Sequence, residues 1–167
     1  MDITVKEQDL IAAANEGMDA FIDVFVTAIK DTIGGELNAD NMGQLNADQI
    51  TLLAYMMFRD EVMDGGFVQL IHNGYGPFIF ENPFAKALRG WGAKQLTNLI
   101  YSGRKLYEQY KSEITKECDD DEFMAMFERY PEFDELDDAF VEMEEEVTAL
   151  IAQYIDNNIE QFANVEK

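Results

Sequence analysis

The sequence predicts an all-α fold: a single domain over residues 1–167, made of about seven helices with long ones at the two ends. Three observations carry that expectation. Only three prolines occur in 167 residues. Apolar residues recur every three or four positions over long stretches, the period of a helix with one buried face. Glycine pairs and an Asn-Pro step fall where such stretches end. Hydrophobic content of 47%, with 12% aromatic, is enough to build one core.

The first helix is expected from about Lys6 to Ile33, with Leu10, Ala14, Met18, Phe21, Phe25 and Ile29 on its buried side and Gly34-Gly35 as its stop. A polar loop should follow to Asn46, which stands as an N-cap with Gln49 three positions on, in capping-box spacing. The second helix carries Ile50, Leu53, Ala54, Met57 and Phe58 toward Met63. Gly65-Gly66 should break or bend it, and a short helix from Phe67 to Asn73 should end at Gly74. Gly74 to Glu81 reads as a loop with a brief extended piece. Asn82-Pro83 reads as an N-cap with proline at the first helical position, opening a short helix to about Gly90. Another helix is expected from about Ala93 to Glu117, burying Leu96, Leu99, Ile100, Leu106 and Tyr107. Asp119 or Asp120 can cap a short helix from Glu122 to Tyr130. Pro131 resets the chain, and a last helix should run from about Phe133 to Phe162.

Charge is the strongest functional signal. From Glu117 to Glu146 the chain holds fifteen acids and one base, Arg129, a net −14 out of −22. Phe133, Leu136, Phe140, Met143, Val147, Leu150 and Tyr154 form an apolar stripe through the block, so the charge belongs to a folded surface. Asp134, Glu135, Asp137, Asp138, Glu142, Glu144, Glu145 and Glu146 fall off that stripe. Their i,i+4 repulsions cost a few tenths of a kcal/mol per pair, and no lysine or arginine between Glu132 and Glu146 relieves them. Packing of the stripe must therefore hold the helix. Nine acids between Glu132 and Glu146 give roughly one charge per 2.5 Å of axis, the same order as the one per 1.7 Å of duplex DNA. Nucleic acid and anionic membranes would repel such a chain. The surface expected to meet a basic partner comprises Asp119, Asp120, Asp121, Glu122, Glu128, Glu132, Asp134, Glu135, Asp138, Glu142, Glu145 and Glu146. On charge alone, a solvated face that only confers solubility is the more economical reading.

Catalytic and metal signatures are not apparent. His72 is the only histidine, and Cys118, the only cysteine, is distant from it in sequence. Zinc needs several such ligands. A di-iron bundle needs repeated Glu-x-x-His, and Glu61 has no histidine at i+3. Asp119-Asp-Asp-Glu lacks the spacing of a calcium loop. No metal and no cofactor are expected. Asp60, Glu61, Asp64, Gln69 and His72 gather near the double glycine and could support acid–base chemistry, but loop anchoring explains them more simply. Most methionines read as core, and Trp91 as a packed anchor. A single cysteine excludes an intrachain disulfide and suits a reducing compartment. The N-terminus lacks a basic region followed by an apolar one, and no apolar run reaches 18 residues, so a cytoplasmic protein is expected.

The second informative stretch is Glu61 to Gly76. Glu61, Gly65, Gly66, Phe67, Gln69, Asn73 and Gly76 follow the pattern of a family of small acidic bacterial proteins with a domain of unknown function, whose characterised example is a DNA mimic. Ala87, Leu88, Gly92 and Ala93, and then Leu136, Asp137, Phe140, Tyr154, Ile155 and Asn158, extend the resemblance over roughly Leu52 to Asn158. Asp64 stands where the family has Asn, and Leu70-Ile71 where it has aromatics. The resemblance implies an all-α fold, a homodimer, and an acidic surface that occupies the DNA-binding face of a transcription regulator. The motif lies outside the acidic block and reads as fold architecture. The expectation is a non-enzymatic binding protein for a basic partner. The alternatives are a small-ligand binder or enzyme using Asp64 to Gly76, or an acidic domain whose charge serves solubility.

Overall fold

A computed structural model describes residues 3–167. Met1 and Asp2, part of the segment read for a leader, lie outside them. Among the described residues the chain is all-α, with nine α-helices and one pair of three-residue strands. In order they are β1 (Thr4–Lys6), α1 (Glu7–Glu16), α2 (Met18–Ile33), α3 (Ala47–His72), α4 (Gly76–Phe80), α5 (Phe84–Gly90), α6 (Lys94–Ile114), α7 (Asp120–Arg129), α8 (Asp134–Asn157), α9 (Ile159–Phe162) and β2 (Asn164–Glu166). Single 3-10 turns sit at Met42–Gln44 and Pro131–Phe133. Packing groups the chain into two units, one of residues up to Leu53 with Glu146–Lys167, the other Ala54–Glu145.

In the first unit the expected single N-terminal helix is two. Gly17 has φ 141° and ψ 175°, outside helical space, and separates α1 from α2. The break resets the register. Leu10 and Ala13 are buried on α1, and Ile22, Phe25, Val26, Ile29 and Ile33 on α2, while Ala14 is exposed. Gly34 ends α2 as expected, at φ 87°, with its N–H on the Lys30 carbonyl.

The capping box forms. The Asn46 side chain accepts from Gln49 N–H at 2.8 Å, and the Gln49 side chain accepts from Asn46 N–H at 3.0 Å. Both side chains then donate onward, Asn46 to the Gln161 carbonyl at 2.8 Å and Gln49 to the Phe162 carbonyl at 3.0 Å. One cap thus fixes two elements more than a hundred residues apart. Phe162 packs edge-on to Phe25 and Tyr154. The C-terminal helix is shorter than expected: α8 stops at Asn157, and Asn158, at φ −138° and ψ 39°, turns the chain into α9. Beyond it β2 pairs in parallel with β1, Val5 opposite Val165, a strand pair that three-residue segments could not announce.

The second unit is built on aromatic packing. Phe58 stands edge-on to Phe67 at 5.5 Å and to Phe140 at 5.0 Å. Phe67 stacks with Phe80 and Phe133, each at 6.3 Å. Gly103 lets α6 approach Phe67, because a Cβ there would lie 2.8 Å from the ring. Within the Gly74 to Glu81 stretch, Gly76–Phe80 is a helix, α4, rather than a loop. Pro77 occupies its first turn, where no N–H is required, and Ile79 and Phe80 are buried. Asn82 does not cap α5; the flanking residue is Pro83, and the Asn82 amide donates to the Phe78 carbonyl instead. Asp119 caps α7 as expected, accepting from Glu122 N–H. Leu106 is only half-buried on α6.

Asn46→Ala removes the cap and the Gln161 contact together. It should cost about 1–2 kcal/mol in urea unfolding, whereas Asn15→Ala, exposed on α1, should cost less.

Candidate functional site

The acidic block sorts into two populations once folded. Asp119, Asp120, Asp121, Glu122, Glu128, Glu132, Asp134, Glu135, Asp138, Glu142, Glu145 and Glu146 are all exposed, as is Glu117. Asp137 and Glu144 are not, and their assignment to the solvent side is corrected. At 100° per residue both fall on the packed side of α8. The apolar stripe shifts too: Leu150 is 39% exposed, whereas Ile151 and Ile155 are buried, because strict alternation of three and four drifts off a 3.6-residue helix.

Glu144 is held by Arg59 of α3 at 2.8 Å, both side chains largely covered. The base that relieves α8 therefore comes from another helix. Asp137 meets the glycine motif. Gly66, at φ 76° and ψ −175°, interrupts α3 and frees the next amide from the helical ladder. Phe67 N–H donates to Asp137 Oδ1 at 2.8 Å. A Cβ at Gly66 would overlap the Asp137 carboxyl group. Sequence reading placed the motif apart from the acidic block, but the two are joined at this contact. Burial pushes Asp137 up to about 6, opposed by the Phe67 N–H and assisted by Asp134 and Asp138.

The remaining motif residues bond to one another. Gln69 donates to Glu61 at 2.9 Å and to Asp64 at 3.0 Å, and Asn73 donates to Glu61 at 2.9 Å. Gly65 leaves room for the Gln69 side chain and Gly76 for the Tyr107 ring. Glu61 thus staples two turns across the kink. His72 turns elsewhere, its Nδ1 2.8 Å from the Ile114 carbonyl.

Sequence distance argued against a Cys118–His72 pair, yet the fold places Cys118 Sγ 3.9 Å from His72 Nε2. Burial, with Glu122, Asp119 and Asp120 around it, raises the thiol's pKa. Cys118 is therefore held as the poorly nucleophilic thiol. Glu132 accepts from the Tyr110 hydroxyl, which lowers its own pKa and raises the tyrosine's, so it is the one exposed acid of the block held in a fixed direction by a ring.

On α8 the six exposed acids occupy an arc of about 120°, opposite the buried side, in two rows roughly 80° apart. Asp134, Asp138 and Glu145 make one row, and Glu135, Glu142 and Glu146 the other. Sequence reasoning missed the opposite feature. Between Lys86 and Lys116 lie seven bases (Lys86, Arg89, Lys94, Arg104, Lys105, Lys111 and Lys116) and two acids, Glu108 and Glu113. A running count of charge sign would have found it.

The sequence model of the family described as DMP19-like protein matches residues 43–158. Over 127 residues, 75% of this chain and 77% of the relative, the chain is 37% identical to a protein named DNA mimic protein DMP19 from Neisseria meningitidis serogroup B (strain ATCC BAA-335 / MC58). The matched span contains the motif, the basic segment and the whole acidic block.

Gly66→Ala forces a side chain into left-handed backbone and into the Asp137 carboxyl group. It should cost at least about 2 kcal/mol in denaturant unfolding, with Gly43→Ala nearly neutral. Asp137 also predicts a pH dependence. Its folded pKa is raised, so its contribution is complete below about 3.8 and is lost as pH rises through about 6. Two pKa units correspond to about 3 kcal/mol, reduced to about 1–2 kcal/mol by solvent contact. Unfolding free energies of wild type and Asp137→Asn at pH 4 and pH 7 should show wild type losing that much more on the rise, with equal losses refuting the assignment.

Proposed function

The chain belongs to the DMP19-like protein family, and from that premise we propose that it acts as a non-enzymatic DNA mimic. Its acidic surface occupies the DNA-binding face of a basic protein, of which a transcription regulator is the fitting class. The observation that carries the reading is the double row of exposed acids on α8. Steps of four and seven residues within a row are about 6 and 10 Å. They approach the axial distance to every second and every third phosphate of one strand, at about 3.4 Å each. With Asp137 and Glu144 turned inward, the exposed acids from Glu132 to Glu146 average roughly one per 3 Å, which resembles a single strand's spacing more than the duplex total.

Charge of this density steers encounter and makes binding compete with DNA and weaken in salt. The acids at the start of α7 (Asp119, Asp120, Asp121 and Glu122) add negative charge in the unit that carries the rows as far as Glu145. The reading places the protein in the cytoplasm, where DNA-binding regulators act, and as a homodimer. None of the described helices is long and apolar enough to cross a membrane.

The test is capture from a low-salt lysate by wild type and by the variant Asp134→Asn, Asp138→Asn, Glu142→Gln, Glu145→Gln. Wild type should retain a basic DNA-binding protein that duplex DNA displaces, and the variant should lose it. The variant's thermal midpoint should be unchanged or slightly higher, because like-charge i,i+4 pairs worth a few tenths of a kcal/mol each are removed. Equal capture by the two proteins sinks the reading.

A further inference from the structure

The β1–β2 pair leaves a strand edge open in the first unit. Asn164 N–H donates to the Ile3 carbonyl at 2.7 Å, and Val5 stands opposite Val165. Main-chain groups alternate sides along a strand, so Ile3 and Val5 serve β2, while Thr4 and Lys6 turn theirs away from it. Among the described residues the sheet has no third strand. Lys6 is also the N-cap of α1, and its carbonyl accepts the first bond of that helix. Thr4 N–H, Thr4 C=O and Lys6 N–H remain on the free edge, and none of the three has a partner among the described residues.

A groove of about 530 Å³ runs beside this edge, walled by β1, by Asp9 of α1 and by the side of α2 from Asp23 to Thr32. No residue of β2 lines it, so it lies on the side of β1 that the sheet leaves open. Asp9, Asp23 and Asp31 are exposed in its wall, against one base, Lys6. Among the described residues these acids form no ion pair. Nor do any three acid, histidine or cysteine side chains among those residues gather to hold a metal ion. The charge is spread along a line instead. Asp23, Thr27 and Asp31 are successive i,i+4 positions on α2, so the two acids lie about 12 Å apart along the helix, within roughly 80° of its surface. In an extended chain, residues four apart share a face and lie about 13 Å apart. All the residues of the groove precede position 43, where the match to the family model begins.

We infer that this groove takes an extended basic segment of another protein as a third strand on the free edge of β1. The main chain of the segment bonds to Thr4 and Lys6, which gives affinity without regard to sequence, and its side chains supply the selection. Two lysines or arginines at positions i and i+4 reach Asp23 and Asp31, and the residue midway between them, on the same face, meets Thr27. A base set directly beside Lys6 is repelled, which fixes the register. The free edge offers only three main-chain groups, so strand pairing alone holds the segment weakly. Charge alone does not distinguish this face from the other acidic surfaces of the chain. Recognition needs both. The inference does not rest on the mimic reading, whose rows of acids stand on α8.

The experiment follows the fluorescence anisotropy of a labelled peptide, Thr-Lys-Val-Thr-Val-Lys-Thr, titrated with the full chain at about 0.15 M salt. Wild type should bind it saturably and should not bind the peptide with glutamate for both lysines. Asp23→Asn with Asp31→Asn should weaken binding at least about tenfold. Thr4→Pro should weaken it as well, because it removes a free-edge N–H while Ile3 and Val5 keep β1 paired with β2. N-methylation of alternate peptide amides can be done in two phases. The phase that blocks the amides facing β1 should abolish binding, and the other should not. The variant Asp134→Asn, Asp138→Asn, Glu142→Gln, Glu145→Gln leaves the groove intact and should bind nearly as wild type does. No binding by wild type, equal binding of the lysine and glutamate peptides, or equal effects of the two methylation phases would each overturn the inference. So would loss of binding in the α8 variant, which assigns the peptide to the acid rows, or self-association that Thr4→Pro removes, which assigns the edge to a second copy. If Thr4→Pro lowers the thermal midpoint, the Asp23/Asp31 variant and the methylated pair decide.

Discussion

The hydrogen bond from Phe67 N–H to Asp137 Oδ1 is the contact on which the second unit turns. A kink at Gly66 leaves an amide without its helical acceptor, and an unpaired buried amide costs about 1–3 kcal/mol. A carboxylate from α8 supplies the acceptor, and in doing so sets the rotation of α8 about its own axis. Two turns further along, Glu144 closes on Arg59 from the same side. With these two acids pinned inward, the other acids of α8 have nowhere to face but water. Just past the kink, Phe67 lies between Phe80 and Phe133 and against Phe58, so the same bend places a ring at the centre of the aromatic cluster.

Magnitudes explain why so acidic a helix folds. Each i,i+4 repulsion on its exposed side costs a few tenths of a kcal/mol. Each fully buried side chain, such as Phe133, Phe140, Val147, Ile151 or Ile155, contributes about 1.5–3 kcal/mol by leaving water. Packing therefore wins by a wide margin, and the acids can be arranged for a purpose other than stability. Apart from Arg59 on Glu144, the bases do not neutralise the acids of α8. Six of the chain's twelve bases stand on α5 and α6, which gives α6 and α8 faces of opposite sign.

Much of the fold was legible in the sequence because its signals are local. The Asn46/Gln49 capping box, the Gly34 stop, the bend at the double glycine and the Asp119 cap depend on residues within four positions of one another. Errors arose where a local signal had two outcomes. Gly17 sits in an apolar period that continues on either side of it, so periodicity alone ran α1 and α2 together. Gly74-Tyr-Gly-Pro carries turn residues, but burial of Ile79 and Phe80 draws the segment from Gly76 to Phe80 into a helix. β1 and β2 become strands only through each other, across almost the whole chain.

The candidate site divides along the same line. The sequence by itself determined that the chain is helical, that its charge lies on a folded surface, and that a glycine motif of the DMP19-like kind is present, because period, charge sign and residue spacing are properties of neighbouring positions. Only the tertiary structure decided which acids face water. Asp137 and Glu144 were withdrawn by Phe67 and Arg59, and Cys118 was brought beside His72. Those outcomes depend on groups that meet through folding across long sequence separations, and a helical period cannot distinguish an acid that faces solvent from one with a partner waiting on the next helix.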